Sequence, residues 1–232
     1  MEGLRAALAR YRDRALTALV VLEALWLFFL SPLGQVHALP NWVNAVSTAA
    51  IVAVVLVVCS GATLAELAVV AATAIDVVAS LLRHVAPSHV TLAVDLIARL
   101  LFLFAVTVVV ARAVFARGEV THHRILGAIA IYLNIAWAFA YVYRAIDTLV
   151  PGAFSGGTGS PHVVDVLTLG RFVYFSFTTM TSTGFGDILP LHPFARSATN
   201  LEAVMGQLFP ATLLARLVTL EIEARRTRDE SQ

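Results

Sequence analysis

Six apolar stretches divide the chain, and they limit its fold more than any other feature. A helix needs about 20 apolar residues to cross the hydrocarbon core of a bilayer. The composition agrees with this pattern, because 59% of the residues are hydrophobic, 13% are charged and the mean hydropathy is +0.83. We therefore predict an all-α membrane protein. Its spans are placed at 15–31, 42–60, 63–83, 89–113, 125–149 and 194–220, with a shorter amphipathic helix near 166–181.

The boundary between the second and third spans lies near Cys59 to Thr63. The alternative is one helix of about 44 residues kinked at Gly61, but at 1.5 Å per residue such a helix is too long for the bilayer core. Two separate spans are therefore favoured.

Arginine clusters set the predicted orientation. With six spans, the three clusters fall on one side of the membrane, and the positive-inside rule makes that side cytoplasmic. Both termini are then cytoplasmic, and the segment between the fifth and sixth spans enters from the other side. The first apolar run lacks a small-x-small cleavage site, so it is interpreted as an anchor and not a signal peptide. The clusters comprise Arg5, Arg10, Arg12 and Arg14, then Arg112, Arg117 and Arg124, then Arg225, Arg226 and Arg228.

Several function classes fit the sequence poorly. The formal net charge is only +1, with sixteen basic and fifteen acidic residues, so no nucleic-acid partner is expected. A secondary transporter would show broken helices in both halves of the chain. An intramembrane enzyme would show a motif such as H-E-x-x-H or G-x-S-x-G. The sequence shows neither broken helices in both halves nor either of these enzyme motifs. We therefore expect no enzymatic activity, no small-molecule substrate and no cofactor.

The segment Thr181–Asp187 carries the most specific motif. Two glycines flank one aromatic residue and follow three hydroxyl residues. Glycine adopts backbone angles that are closed to residues with a Cβ, so successive carbonyl groups can all point to one axis. Stacked rings of such oxygens can surround a dehydrated cation.

The segment 179–187 resembles the selectivity filter of tetrameric potassium channels, whose pattern is T-x-T-T-V-G-Y-G-D. The chain is similar to bacterial members of that family with six spans and no regulatory domain. The resemblance implies a homotetramer that conducts K⁺, with a filter that extends from Thr181 to Gly186. It implies K⁺ ligands from the carbonyls of Ser182, Thr183, Gly184 and Phe185 and from the Ser182 hydroxyl, with filter support from Phe185, Asp187 and Thr178.

Three residues depart from the family pattern. Ser182 stands for threonine and lacks the methyl group that stiffens the rotamer. Thr183 stands for valine or isoleucine, and its additional hydroxyl needs a partner behind the filter. Phe185 stands for tyrosine and lacks the hydrogen-bonding hydroxyl. A weakly selective or Na⁺-permeable cation channel with the same architecture is the alternative.

The sixth span carries the predicted gate. Gly206 lies twenty residues after Gly186, where the resemblance implies a hinge. The alternative is that this glycine permits close helix packing. Pro210 removes a helical hydrogen bond and is expected to kink the helix. Leu214 and Val218 follow on an apolar stripe that either closes the pore or packs against the fifth span.

Polar residues within the spans are further candidates. Arg99 is a single arginine where a voltage sensor has a series, so strong voltage gating is not expected. Asp95 and Asp76 are its predicted partners in a structural ion pair. Gln207 is expected to face the cavity below the filter, and Glu202 to brace the filter region.

These predictions give four segments. Residues 1–14 form a cytoplasmic N-terminus, 15–118 a four-helix voltage-sensor-like domain, 119–224 the pore domain, and 225–232 a cytoplasmic tail. The predicted location is the cell inner (plasma) membrane, where lipid surrounds the helices.

Overall fold

Helices form all the regular elements in the part of the chain that the computed structural model describes, which is residues 2–36, 41–59, 63–115, 122–155 and 165–229. A π-helical turn, Trp26–Leu30, joins the first two helices. The α-helices are α1 (Glu2–Leu25), α2 (Ser31–Val36), α3 (Asn41–Cys59), α4 (Thr63–Val85), α5 (His89–Val114), α6 (His122–Leu149), α7 (Asp165–Met180) and α8 (Pro193–Asp229).

Each predicted span coincides with helical structure, and α7 coincides with the predicted amphipathic helix. Helices α3 and α4 coincide with the second and third predicted spans, and residues 60–62 between them lie outside the described part. Helix α1 begins at Glu2 and α8 continues to Asp229, well beyond the apolar stretches. Alanine, arginine and glutamate favour helix outside the bilayer as well, so apolar length underestimates helix length at both ends.

Four helical segments of the described chain are long and apolar enough to cross a membrane. This supports a multi-pass membrane protein. Among the described residues, helix α3 has a shorter apolar segment, Ala49–Val58, and helix α8 has no segment of the required length. That α3 and α8 also cross the membrane remains a prediction. The four segments are Arg14–Leu33, Leu64–Val85, Val90–Val114 and His123–Leu149.

One face of α5 is both apolar and exposed. Its exposed side chains recur every three or four residues, the spacing of one helix face. Such a continuous apolar stripe is unfavourable in water and is what a lipid-facing helix presents. The stripe is formed by Val90, Val94, Ile97, Leu101 and Phe104.

The buried side chains form two clusters. The first joins α1, α3, α5 and α6 through residues such as Leu16, Val55, Val110 and Ala128. The second is aromatic and fixes α7 against α6. Its centre is Tyr143, whose ring meets Phe175 edge-on at 5.0 Å and Phe154 at 5.4 Å, with Phe172 at 6.5 Å. Edge-to-face aromatic packing adds to the stabilisation from burial. This cluster positions the C-terminal end of α7.

Candidate functional site

The loop between α7 and α8 has an alternating backbone. Ser182, Gly184 and Gly186 have positive φ angles of 57°, 54° and 78°, whereas Thr183 and Phe185 do not have positive φ. In a strand, successive carbonyl groups point in opposite directions. A change in the sign of φ at every second residue turns alternate peptide planes over, so successive carbonyl oxygens can lie on one side. This is the backbone that a column of oxygen ligands requires.

Ser182 is the only non-glycine residue with a positive φ in the described part of the chain. A β-branched residue at such an angle is a genuine outlier. Serine is the hydroxyl residue without that branch. Serine therefore meets less steric opposition at this angle than a β-branched residue does.

The end of α7 holds the amide groups of this loop. The Ser182 N–H donates to the Thr179 carbonyl at 2.9 Å, and the Thr183 and Gly184 N–H groups both donate to the Thr178 carbonyl, at 2.8 and 3.1 Å. These bonds satisfy carbonyls that a helix end leaves without partners. They also turn the amides towards the helix. Thr178 therefore contacts the loop through its backbone, at a position that the sequence proposed as filter support.

The Thr183 hydroxyl has a hydrogen-bond partner, as the sequence analysis expected it to need. Its Oγ1 lies 2.9 Å from Oγ1 of Thr181, and the Thr181 hydroxyl in turn donates to the Phe177 carbonyl at 2.6 Å. The polar atom that distinguishes threonine from valine is therefore hydrogen-bonded.

Tyr174 of α7 contacts the other end of the loop. Its ring stacks on Phe185, with 6.2 Å between centroids and an angle of 2° between planes. Its hydroxyl also interacts with the Asp187 carboxylate. Sequence reasoning missed Tyr174, although its place in the helix before the motif was a usable signal. In the single chain the Phe185 side chain is 69% exposed.

Glu202 connects three helices, α6, α7 and α8, through its hydrogen bonds. It is completely buried in α8, and it accepts hydrogen bonds from the Tyr143 hydroxyl of α6 and from the Ser176 hydroxyl of α7. Ser176 also lies 2.7 Å from the Ala136 carbonyl. A buried carboxyl group needs such partners. This arrangement agrees with the expectation that Glu202 braces the filter region.

Helix α8 approaches the end of α7 very closely at Gly206. A Cβ at this position would lie 2.9 Å from both the carbonyl carbon and the Cα of Met180, and closer still to its carbonyl oxygen. The same Met180 carbonyl accepts a hydrogen bond from the Tyr132 hydroxyl of α6 at 3.1 Å. Close packing therefore accounts for glycine at this position without a hinge, and the hinge remains a prediction.

Gln207, the next residue, reaches the loop directly. Its side-chain Nε2 donates to the Ser182 hydroxyl oxygen at 2.5 Å, and both side chains are exposed in the single chain. The sequence placed Gln207 near a cavity but did not predict this bond.

The remaining gate residues lie further along α8. The helix continues through Pro210, which has no N–H to donate to the Gly206 carbonyl. Leu214 and Val218 lie on the same helix, but their side chains fall outside the described part of the structure. Their predicted role at a constriction remains a prediction.

Hydrogen bonds connect the segment that follows α6 with the segment that follows the motif. The Ser155 N–H donates to the Leu189 carbonyl, and the Leu191 N–H to the Ala153 carbonyl, each at 2.8 Å. Arg171 of α7 donates to the Ser155 carbonyl. The chain that leaves α6 and the chain that leaves the motif are therefore fixed to each other and to α7.

A buried ion-pair cluster lies between α4 and α5. The Asp95 carboxylate is 1% exposed, and its Oδ2 lies 2.9 Å from Arg83 Nη1 and 3.3 Å from Arg99 Nε. The guanidinium of Arg99 also lies over the Tyr141 ring of α6, 5.9 Å from its centroid. Asp76 interacts electrostatically with Arg99 but forms no ion pair with it among the described residues. The second ion pair of the cluster is instead formed by Arg83 and Asp95, which the sequence did not predict.

Asp95→Asn is expected to destabilise this part of the fold far more than Asp76→Asn. The first change removes the carboxylate between two cations, which costs about 3 kcal/mol or more at a buried site. The second removes a carboxylate that interacts electrostatically with Arg99 but forms no ion pair in the described structure. Thermal unfolding in detergent micelles measures both. Equal midpoints for Asp95→Asn and the unchanged protein would contradict the prediction.

Comparison with known proteins adds one finding. Residues 127–222 match the family model described as Ion channel. The matched segment begins in α6, contains α7 and the whole loop, and ends in α8. No curated protein and no solved structure matches the chain. Together with the apolar helices, the match supports an ion channel family for this multi-pass membrane protein.

Proposed function

We propose that the protein is a potassium-selective channel, a homotetramer that conducts K⁺ passively across the plasma membrane. The observation that carries this proposal is the alternating backbone of Ser182 to Gly186, in which the amides of Ser182, Thr183 and Gly184 turn towards α7. Rings of carbonyl oxygens that replace the hydration shell are the means by which potassium channels select their ion. No cofactor or catalytic step is part of the proposal.

Exposed apolar side chains support assembly from several copies. One chain supplies one wall of an oxygen ring, so a closed ring needs further chains around an axis. Leu201, Val204 and Leu208 of α8 are all more than half exposed, and their spacing places them on one helix face. Together with Phe185 they form a surface that copies of the chain would bury in a tetramer.

The proposed path of the ion follows from this arrangement. With six spans and cytoplasmic termini, hydrated K⁺ enters a cavity from the cytoplasm and loses water at Ser182. It then moves along the carbonyls of Thr183, Gly184 and Phe185, driven by repulsion between ions at neighbouring sites. The C-terminal end of α7, with its partial negative charge, favours a cation at the inner end of this path.

Weak voltage dependence is proposed for gating. One charge that moves across 100 mV contributes about 2.3 kcal/mol. In the described structure, Arg99 is held by Asp95 and is not part of a series of arginines along α5. Residues 15–118 would then act chiefly as a structural unit, and the pore domain 119–224 would open at Gly206 and Pro210 and close at Leu214 and Val218.

A weakly selective cation channel is the second candidate. One observation favours it over a strictly selective pore. The Thr183 hydroxyl, which the family pattern lacks at this position, is bonded to the Thr181 hydroxyl. A side-chain bond at this level differs from the family pattern and can change the ring dimensions.

The reversal potential of the purified protein separates the candidates. The protein is placed in a planar bilayer with K⁺ on one side and Na⁺ on the other. The potassium channel is expected to give a large potential in the direction that K⁺ sets. A potential near zero with current flowing would overturn potassium selectivity in favour of the second candidate. A well-folded, reconstituted protein without current would contradict both.

A further inference from the structure

We infer that Gln207 is a specificity-determining residue of the pore, and that it acts by positioning the Ser182 hydroxyl. The inference rests on the proposed function, because it concerns the selectivity of the proposed oxygen ring at Ser182. It assigns that selectivity to a pair of residues on different elements. The pair consists of a loop serine and a glutamine of α8 that are 25 residues apart in sequence.

Backbone packing fixes the register of this pair. Gly206 lies against the backbone of Met180, and that carbonyl is held from the other side by Tyr132. Ser182 follows Met180 by two residues, and Gln207 follows Gly206 by one. Two closely packed backbones therefore bring the glutamine beside the serine.

The chemistry of serine explains what the contact does. Threonine has a second heavy atom on Cβ that restricts χ1, and serine does not. A hydroxyl that accepts one hydrogen bond keeps a second lone pair. Gln207 therefore restricts the rotation of the serine side chain by a hydrogen bond, as a methyl group would by its bulk, and leaves one lone pair for an ion.

Selectivity at this level should then depend on Gln207. If the amide is removed, the Ser182 oxygen rotates freely and the ring loses its fixed dimensions. One ordinary hydrogen bond corresponds to about a fivefold change in an equilibrium constant. We expect Gln207→Met, which keeps the length of the side chain without its donor, to lower the permeability ratio of K⁺ over Na⁺ about fivefold.

A double-mutant cycle tests this mechanism in the reconstituted full-length protein. The permeability ratio is measured for the unchanged protein, Gln207→Met, Ser182→Ala and the double variant. If Gln207 acts through Ser182, the double variant is no less selective than Ser182→Ala alone, because neighbouring residues in one network are not additive. If the two effects multiply, Gln207 acts independently of Ser182 and the inference is overturned.

Two further variants separate the hydrogen bond from general packing. In Gln207→Glu the serine hydroxyl can donate to the carboxylate, so the rotation stays restricted. K⁺ and Na⁺ carry the same charge, so this variant is expected to change conductance more than the permeability ratio. Thr212→Ala is the matched control on α8, because the Thr212 hydroxyl bonds the Leu208 carbonyl of its own helix at 2.8 Å. It is expected to keep the ratio of the unchanged protein.

The outcomes also distinguish this inference from the proposed function. An unchanged protein that does not separate K⁺ from Na⁺ would overturn both. A selective unchanged protein with equal ratios in Gln207→Met and Thr212→Ala would overturn the inference alone. Recovery of the tetramer on size-exclusion chromatography shows that each variant is assembled before its ratio is measured.

Discussion

Gly186→Ala is expected to abolish K⁺ current while the protein still inserts into the membrane. Gly186 has a φ of 78°, and in the single chain a Cβ there would meet no atom within 4 Å. Within the chain, the penalty therefore comes from the backbone and not from a clash. A left-handed conformation costs an L-residue about 1–2 kcal/mol. Alanine avoids this cost by returning to negative φ, which turns the peptide plane and moves a carbonyl away from the ion. Single-channel recording measures the effect.

Gly152→Ala is the matched control for this prediction. Gly152 has a φ of 84° and also has open space around a Cβ, but it lies in the turn after α6. The backbone strain is therefore similar, and no carbonyl ring is involved. We expect Gly152→Ala to conduct. Gly184→Ala, at a φ of 54°, is expected to behave like Gly186→Ala. Normal currents from Gly184→Ala or Gly186→Ala would be incompatible with a carbonyl filter at this loop.

The helices of this fold could be predicted from sequence because the bilayer imposes a length on apolar segments. The shorter helix α7 was predicted from its amphipathic pattern instead. The ends of α1 and α8 could not be predicted from apolar length, because residues that favour helix continue beyond the apolar segments.

The contacts that shape the site could be predicted only in part. The motif identified the loop, and glycine identified two of its three positive φ angles. The angle at Ser182 has no such signal, since serine rarely adopts it. The bonds from Tyr132 to Met180 and from Gln207 to Ser182 join residues 48 and 25 positions apart. Such pairs depend on how helices pack, which the hydrophobic period of each helix does not determine.

Gly206→Ala is expected to lower both the stability of the tetramer and its K⁺ over Na⁺ permeability ratio. The added Cβ meets backbone atoms of Met180, which cannot move aside as a flexible side chain can. Helix α8 must therefore shift away from the end of α7. Overpacking of this kind costs about 1–3 kcal/mol. The shift also moves Gln207 away from Ser182, so the effect reaches the filter.

Gly127→Ala is the comparison that isolates this effect. It makes the same change within a membrane helix, but its Cβ would meet side-chain methyl groups, at 2.6 Å from Val114 Cγ2 and 3.2 Å from Leu16 Cδ2. We expect a loss of stability there with an unchanged permeability ratio. A hinge at Gly206 makes a different prediction, because a stiffer inner helix lowers open probability and leaves the filter as it is. Recording both quantities for Gly206→Ala therefore decides between a glycine that lets α8 bend and a glycine that lets α8 touch the base of the filter.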